Sequence, residues 1–384
     1  MKISLAPESF GLDEKGALDR VWSSGRLTMG EETRTFEEAF ARRVSGRNAV
    51  MVNSGSSANL VMLAAAHLKP GTEVIVPALT WSTTVWPVLQ RGCIPVFVDC
   101  DQDTLQMDTD DVAEAIGPRT SAILAVHLMG NACDLDALRD LIDGRHMVLL
   151  EDCCEALGTT YGGVHVGSFG LASSFSFFMS HHITTIEGGM IVSLNAEFAD
   201  RARSIRSHGW TRGTKMENPR SFQGKFEFVH EGYNVRPTEL NAALGNVQLP
   251  KLDDWVLRRS EVAEAMFAAI STFDWLRPMT AQQNAVCSWF AFPVVVRKGS
   301  RDALAQHLIS CGIDCRPIVG GNLVRHKAFH GVPKRIIGDL ANANDVMDHG
   351  LYWGCHQDVT MDGVEALFDA IANFSRTMKG AASA

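Results

Sequence analysis

Met147-Val148-Leu149-Leu150-Glu151-Asp152 is a run of four apolar residues closed by two carboxylates, and it decides the fold because it is the fifth of a series. Ala49-Val50-Met51-Val52, Val74-Ile75-Val76-Pro77, Ile94-Pro95-Val96-Phe97-Val98 and Ala122-Ile123-Leu124-Ala125-Val126 precede it, separated by segments of helical periodicity. A strand without polar alternation is one covered on both faces. Such strands alternating with helices predict an α/β architecture, a mostly parallel sheet between two layers of helices. Ligands of these sheets bind beyond the carboxyl ends of the strands. Polar residues gather there: Ser54-Gly55-Ser56-Ser57 after the first run, Trp81-Ser82-Thr83-Thr84 after the second, and Glu151-Asp152 here.

Outward from this region, residues 237–273 read as helical, with Leu240, Leu244, Val247, Leu252, Val256 and Val262 on one stripe, a connector between lobes. The strand-like 289–296, helical 302–310, strand-like 312–318 and helices after Ala341 predict a smaller α+β lobe. The expected division is a large ligand-binding domain with an N-terminal arm over residues 1–245, then a connecting helix and small domain over 246–384. A chain of 384 residues, 46% hydrophobic and 21% charged, can bury a core of that size. A net charge of −9 and a pI near 5.8 argue against a nucleic-acid surface, so a phosphate-bearing ligand must be caught locally by amides and single arginines. The N-terminus lacks the apolar core of a signal peptide and no run approaches the ~20 apolar residues of a membrane helix, so a cytoplasmic protein with no membrane partner is expected. The nine cysteines are scattered without a CxxC partner set, which predicts reduced thiols and no metal site.

The strand ends carry the candidate chemistry. Ser54-Gly55-Ser56-Ser57-Ala58-Asn59 lies between a strand and a helix, where free amides and hydroxyls make an anion site; an ordinary N-cap uses the same residues. Trp81 opens the next helix, as an aromatic plane over a bound ring or as core. Asp152 closes an apolar strand, where a carboxylate needs a cationic partner; the protonated ring nitrogen of pyridoxal phosphate is one, and a solvated turn is the alternative. Glu155 is placed to brace Asp152, and Ser176 to offer a phosphate another hydroxyl. Ser180-His181-His182-Ile183 then leads through Glu187-Gly188-Gly189 into Met190-Ile191-Val192, a tight turn before a strand. Imidazole exchanges protons near its ordinary pKa of about 6.5 but cannot form a Schiff base with an aldehyde. No lysine occurs between Lys69 and Lys215.

These stretches, with residues 36–60, Arg206-Ser207-His208-Gly209-Trp210-Thr211-Arg212, Gly232-Tyr233-Asn234-Val235-Arg236-Pro237 and Cys315-Arg316-Pro317-Ile318-Val319, resemble the sugar aminotransferases and dehydratases of the DegT/DnrJ/EryC1/StrS type. The resemblance covers nearly the full chain and implies the aspartate-aminotransferase fold, fold type I of the pyridoxal-phosphate enzymes. It is nearest to the 3-dehydratases of nucleotide-linked 4-keto-6-deoxy sugars, GDP-4-keto-6-deoxy-D-mannose foremost, because His181 stands where the aminotransferases carry the cofactor lysine. The cysteines of an iron–sulfur relative that shares this histidine are missing.

Carried over, the resemblance implies that Gly55, Ser56, Ser57 and Ser176 bind the phosphate of pyridoxal 5'-phosphate or pyridoxamine 5'-phosphate. Trp81 stacks on the ring, Asp152 pairs with its nitrogen, with Glu155 beside it, and His181 is acid and base. The cofactor is then held noncovalently. L-glutamate is the implied amino donor, and Asn234 is expected to reach the cofactor phosphate of the other subunit of a homodimer with shared active sites. The sequence departs from the family at Ile186, where many aminotransferases have glycine, and over residues 213–223, which bear on nucleotide and sugar recognition. An aminotransferase with an atypical histidine and a non-catalytic scaffold are the alternatives.

Overall fold

The computed structural model describes residues 3–44, 48–218, 222 and 226–381; residues 219–221 and 223 of the poorly matching segment lie outside them. All five apolar runs are strands: β1 (Asn48–Val52), β2 (Glu73–Pro77), β3 (Ile94–Val98), β4 (Thr120–Val126) and β5 (Val148–Asp152). Among the described residues they join an eight-stranded sheet in the order β1, Gly189–Ser193, Ala172–Ser176, β5, β4, β2, β3, Arg335–Ile336. Gly189–Ser193 runs antiparallel to both neighbours, and the other pairings are parallel.

Side chains alternate across this sheet and both faces are apolar. Val50, Val52, Val74, Val76, Phe97, Leu124 and Leu150 enter one core, whereas Ala49, Met51, Ile75, Val96, Val98, Ile123, Ala125 and Leu149 enter the other. At ~25 cal/mol per Å² of apolar surface, a buried valine or leucine contributes roughly 1.5–3 kcal/mol, so the two-sided burial explains why these runs contain no polar residue.

Beyond the large sheet, a four-stranded antiparallel sheet runs Leu276–Pro278, Ala291–Val296, Gly350–Gly354, Cys315–Arg316, covered by the helices Arg301–Ser310, Ala341–His349 and Met361–Ala381. Three expectations change here. The 312–318 strand shrinks to Cys315–Arg316, because Gly312 (φ 83°) and Val319 (φ 39°) turn the chain on either side. Gly350–Gly354 lies between two helices and is a paired inner strand. The 237–273 helix is two, Glu239–Gln248 and Leu252–Ile270, joined through a 3₁₀ turn at Leu249–Lys251 that contains Pro250, which has no N–H to continue the ladder. The N-terminal arm reaches the small lobe, where Ile3 pairs with Ile313. No helix among the described residues is long and apolar enough to cross a membrane.

Candidate active site

The carboxyl ends of β1, β2, β4 and β5 and of the strand Ala172–Ser176 border a cavity of about 400 Å³. Its lining includes Gly55, Ser56, Trp81, Asp152, Glu155, Ser176 and His181. Seven of the nine sequence candidates therefore meet in one place. Ser57 and Asn234 are not among the lining residues.

One end of the cavity is the start of the helix Gly55–Ala65. Ser54 is its N-cap, accepting from Ser57 N at 3.1 Å and donating to Ser57 Oγ at 3.0 Å. Both readings of this motif hold on different residues: Ser54 and Ser57 form the cap, while Gly55 and Ser56 keep first-turn amides with no intrahelical acceptor. A Cβ on Gly55 would lie 2.6 Å from Ser176 Cβ and 3.0 Å from Cys154 Sγ, so glycine is what lets Ser176 stand against this helix start. Gly189 serves the same end: a Cβ there would lie 2.3 Å from the Ser54 carbonyl oxygen. The turn before that strand thus packs on the anion-binding end through bare backbone. Ile186, in the same turn, adopts φ 71°, a left-handed conformation that glycine takes freely and a β-branched residue does not.

At the other end is Asp152, 4% exposed. Its Oδ2 accepts from Asn59 Nδ2 and Thr84 Oγ1, both at 2.8 Å, and its Oδ1 from Cys154 N at 3.1 Å. Ser174 Oγ donates to Asn59 Oδ1 at 2.6 Å, which fixes the amide so that its NH₂ faces the carboxylate. These neighbours were not legible in advance; a polar residue in the first turns of a helix is common and says nothing of where it points. Glu151 faces away from the cavity. Its oxygens accept from Gly167 N, Phe169 N and Gly170 N, and the His127 ring lies 3.1 Å away, an arrangement that anchors the 167–170 loop. With Cys153 these two residues could group around a metal ion, but His127 Nδ1 accepts from Cys133 N, so Nε2 carries the proton it gives Glu151 and the cluster is already satisfied.

Trp81 caps the helix Ser82–Gln90 and is 56% exposed, an indole plane at the cavity rim instead of a core residue. His181 is half-buried; its Nδ1 is enclosed without a hydrogen-bond partner, and its ring centroid is 5.0 Å from that of Phe290. Burial, and after it the positive charge of Arg259, push this imidazole down to about 4, so it is neutral at physiological pH. Glu155 is pushed the other way, up to about 7, first by burial and further by Asp152, against a hydrogen bond from Met129 N at 2.9 Å. Among the described residues no lysine lines the cavity. Asn234 is exposed, its Oδ1 accepting from Arg236 Nε at 3.2 Å, and the next residue's carbonyl accepts from Asn53 N at the end of β1.

Together the site offers a helix start and hydroxyls for a dianion, a fixed carboxylate for a cationic ring nitrogen, an aromatic plane, and an unpartnered imidazole. These donors match the ends and faces of a pyridoxal-phosphate-type cofactor, and the imidazole is the proton carrier beside it.

Residues 9–372 match the DegT/DnrJ/EryC1/StrS aminotransferase family. The chain is similar to GDP-4-keto-6-deoxy-D-mannose 3-dehydratase of Yersinia pseudotuberculosis, 38% identical over 386 residues that take in 96% of this chain and 97% of the relative. Among solved structures it is similar to Escherichia coli GDP-4-keto-6-deoxy-D-mannose-3-dehydratase with bound hydrated PLP, at a TM-score of 0.92 and 37% identity over 96% of this chain and 98% of that one. It is equally similar to a GDP-4-keto-6-deoxymannose-3-dehydratase with a trapped PLP-glutamate geminal diamine, at 0.92 and 37% over 96% and 99%.

Proposed function

The chain belongs to the DegT/DnrJ/EryC1/StrS aminotransferase family, and from that premise we propose that it is a 3-dehydratase of a nucleotide-linked 4-keto-6-deoxy sugar, GDP-4-keto-6-deoxy-D-mannose first, with L-glutamate as amino donor. One observation carries this reading: the imidazole of His181 lines the cavity, in a stretch with no lysine between Lys69 and Lys215. Pyridoxal phosphate, cycling through its amine form, supplies the electron sink that lets the bond next to a ketone carbon break.

The residues of this chain do the rest. Gly55, Ser56 and Ser176 hold the phosphate, Trp81 covers one ring face, and Asp152, fixed in place by its three donors, pairs with the ring nitrogen. The His181 imidazole, neutral in the resting site, accepts a proton, and the resulting imidazolium returns it to the C3 hydroxyl as that group leaves as water. Glutamate provides the two electrons: it leaves as 2-oxoglutarate and ammonia while the sugar carbon goes from CHOH to CH₂. Because histidine forms no covalent bond to the cofactor, nothing in the chain competes with the amine for it. The hydrated PLP bound in the E. coli relative supports the same arrangement.

The reading includes a homodimer in which Asn234 completes the partner's site. Its exposure, its absence from the lining of its own cavity, and the exposed Phe226 (63%) and Phe228 (58%) support this.

Incubation with a panel of nucleotide-linked 4-keto-6-deoxy sugars, L-glutamate and pyridoxal phosphate, followed by mass, tests the reaction. A product lacking the C3 oxygen and retaining no nitrogen is expected, and His181→Asn should abolish it. An amino sugar product, or a parental rate of oxygen loss in His181→Asn, overturns the assignment.

A further inference from the structure

Arg259, on the helix Leu252–Ile270, is completely buried and makes no ion pair among the described residues. Its Nη1 donates to the carbonyls of Trp289 (3.0 Å), Phe290 (3.2 Å) and Cys355 (2.9 Å), while Nε and Nη2 have no partner. A guanidinium enclosed against carbonyl dipoles is costly: burial pulls it down to about 10, and Asp358, too far for an ion pair, offsets only part of the lost hydration.

Two of the three Arg259 bonds hold Trp289 and Phe290, which lead into the strand Ala291–Val296, and the third holds Cys355. The Ser288 carbonyl accepts from His182 Nε2 at 2.8 Å, the next two carbonyls accept from Arg259, and Phe290 N donates to the Met129 carbonyl at 3.0 Å. What this pinned segment shows the cavity is the Phe290 ring, 5.0 Å from the His181 ring and 6.2 Å from that of His182. We propose that Arg259, which does not itself line the cavity, is a positioning residue for His181: it fixes the Trp289–Phe290 backbone so that the phenyl ring braces the imidazole, and it sets a positive charge without an ion pair at that backbone.

The groups around His181 explain the consequence. Asp152, Cys154, Glu155, Glu187 and Tyr352 line the same cavity, His182 adjoins it, and Arg259 holds the Phe290 carbonyl. A backbone hydrogen bond at Cys154 favours an imidazolium, and burial with the Arg259 charge outweighs it, leaving the ring neutral. A neutral ring is the form that accepts a proton, and phenyl packing keeps it aimed. The anion that enters the cavity then offsets Arg259 and lets the imidazolium form when the proton arrives.

This rests on His181 as the proton carrier, so the test reads the imidazole directly. In full-length protein with pyridoxal phosphate, ¹³C-histidine NMR, assigned by loss of a signal in His181→Asn, follows the titration of His181. Arg259→Gln should raise its midpoint by about one unit, the effect of removing a charge several ångströms away through protein. Arg259→Lys keeps the charge, so the midpoint should stay within about 0.3 unit, while kcat falls about tenfold at unchanged KM because one ammonium cannot hold three carbonyls. An unmoved titration in folded Arg259→Gln overturns the proposal. If that variant does not fold, Arg259→Lys decides alone, and a parental kcat there overturns it. Failure of the functional reading shows instead as sugar dehydration by His181→Asn and leaves the titration result standing.

Discussion

Asp152→Asn removes one charge and almost no volume, and the structure sets what that does. The carboxylate accepts from Asn59 and Thr84 at one oxygen and from Cys154 N at the other. An amide has one accepting and one donating end. With its oxygen toward Asn59 and Thr84, its NH₂ faces the Cys154 N–H; turned over, it faces two donors. Either way a buried donor loses its acceptor, at about 1–3 kcal/mol of stability. That is a fraction of the total for a chain of this size, so the fold should survive with a lowered melting temperature. In turnover, the variant loses a charge-assisted bond to the ring nitrogen that matters most when the electron sink is loaded. At about 3–4 kcal/mol this corresponds to roughly 100- to 1000-fold in kcat. The assay pairs thermal melting with product mass at saturating sugar and glutamate. A folded variant with kcat within about threefold of the parent would refute the pairing of this carboxylate with the cofactor.

Borohydride reduction of the cofactor-loaded protein, followed by peptide mass, should give no pyridoxyl-lysine, because no lysine among the described residues lines the cavity and His181 stands in the loop after the strand Ala172–Ser176; a stoichiometric adduct on any lysine defeats noncovalent binding. Sedimentation at assay concentration should find a dimer, and Asn234→Ala should weaken retention of the cofactor; a fully active monomer counts against shared sites. Stability against pH separates two buried groups. Between pH of about 4 and 6.5 the unfolded chain holds a proton on His181 that the folded chain lacks, so stability rises with pH; between about 4.5 and 7 the folded chain holds one on Glu155 that the unfolded chain lacks, so stability falls. The two oppose each other in the cofactor-free parent, and Glu155→Gln should leave a steeper rise from pH about 4.5 to 6.5 in urea midpoints. Superimposable curves would mean that Glu155 ionises normally.

The parallel sheet was legible because its cause is local. Each strand is buried on both faces, so each wrote itself as an unbroken apolar run, and Asp152 stood out as a charge at the end of one. Gly350–Gly354 was not legible for the opposite reason. Five residues, Gly-Leu-Tyr-Trp-Gly, carry little strand signal of their own and are held by pairing on both sides with Ala291–Val296 and Cys315–Arg316, which the chain brings together from 35 or more positions away. The two-part helix shows an intermediate case: periodicity gave its length, and Pro250 gave the break only once the turn was seen around it.

The same division runs through the site. Residues that would touch a ligand sit at strand ends, where the fold class itself places function, and Gly55, Ser56, Trp81 and Asp152 were found that way, whereas His181, in a loop five residues past a strand, was singled out by the family resemblance. Residues that hold those groups in place lie on helix interiors and loop roots. Asn59 and Thr84 look like ordinary first-turn polar residues, and Arg258-Arg259 reads as a solvated pair on a helix surface. Yet Arg258 reaches a carboxylate at the surface, Glu261 Oε2 at 2.8 Å, while its neighbour points inward to three carbonyls from two distant segments. One helical step of about 100° separates a solvated charge from a buried one. Nothing in the residue type announces which is which, because a buried arginine is specified by the carbonyls that receive it, and those belong to loops whose positions depend on the finished fold.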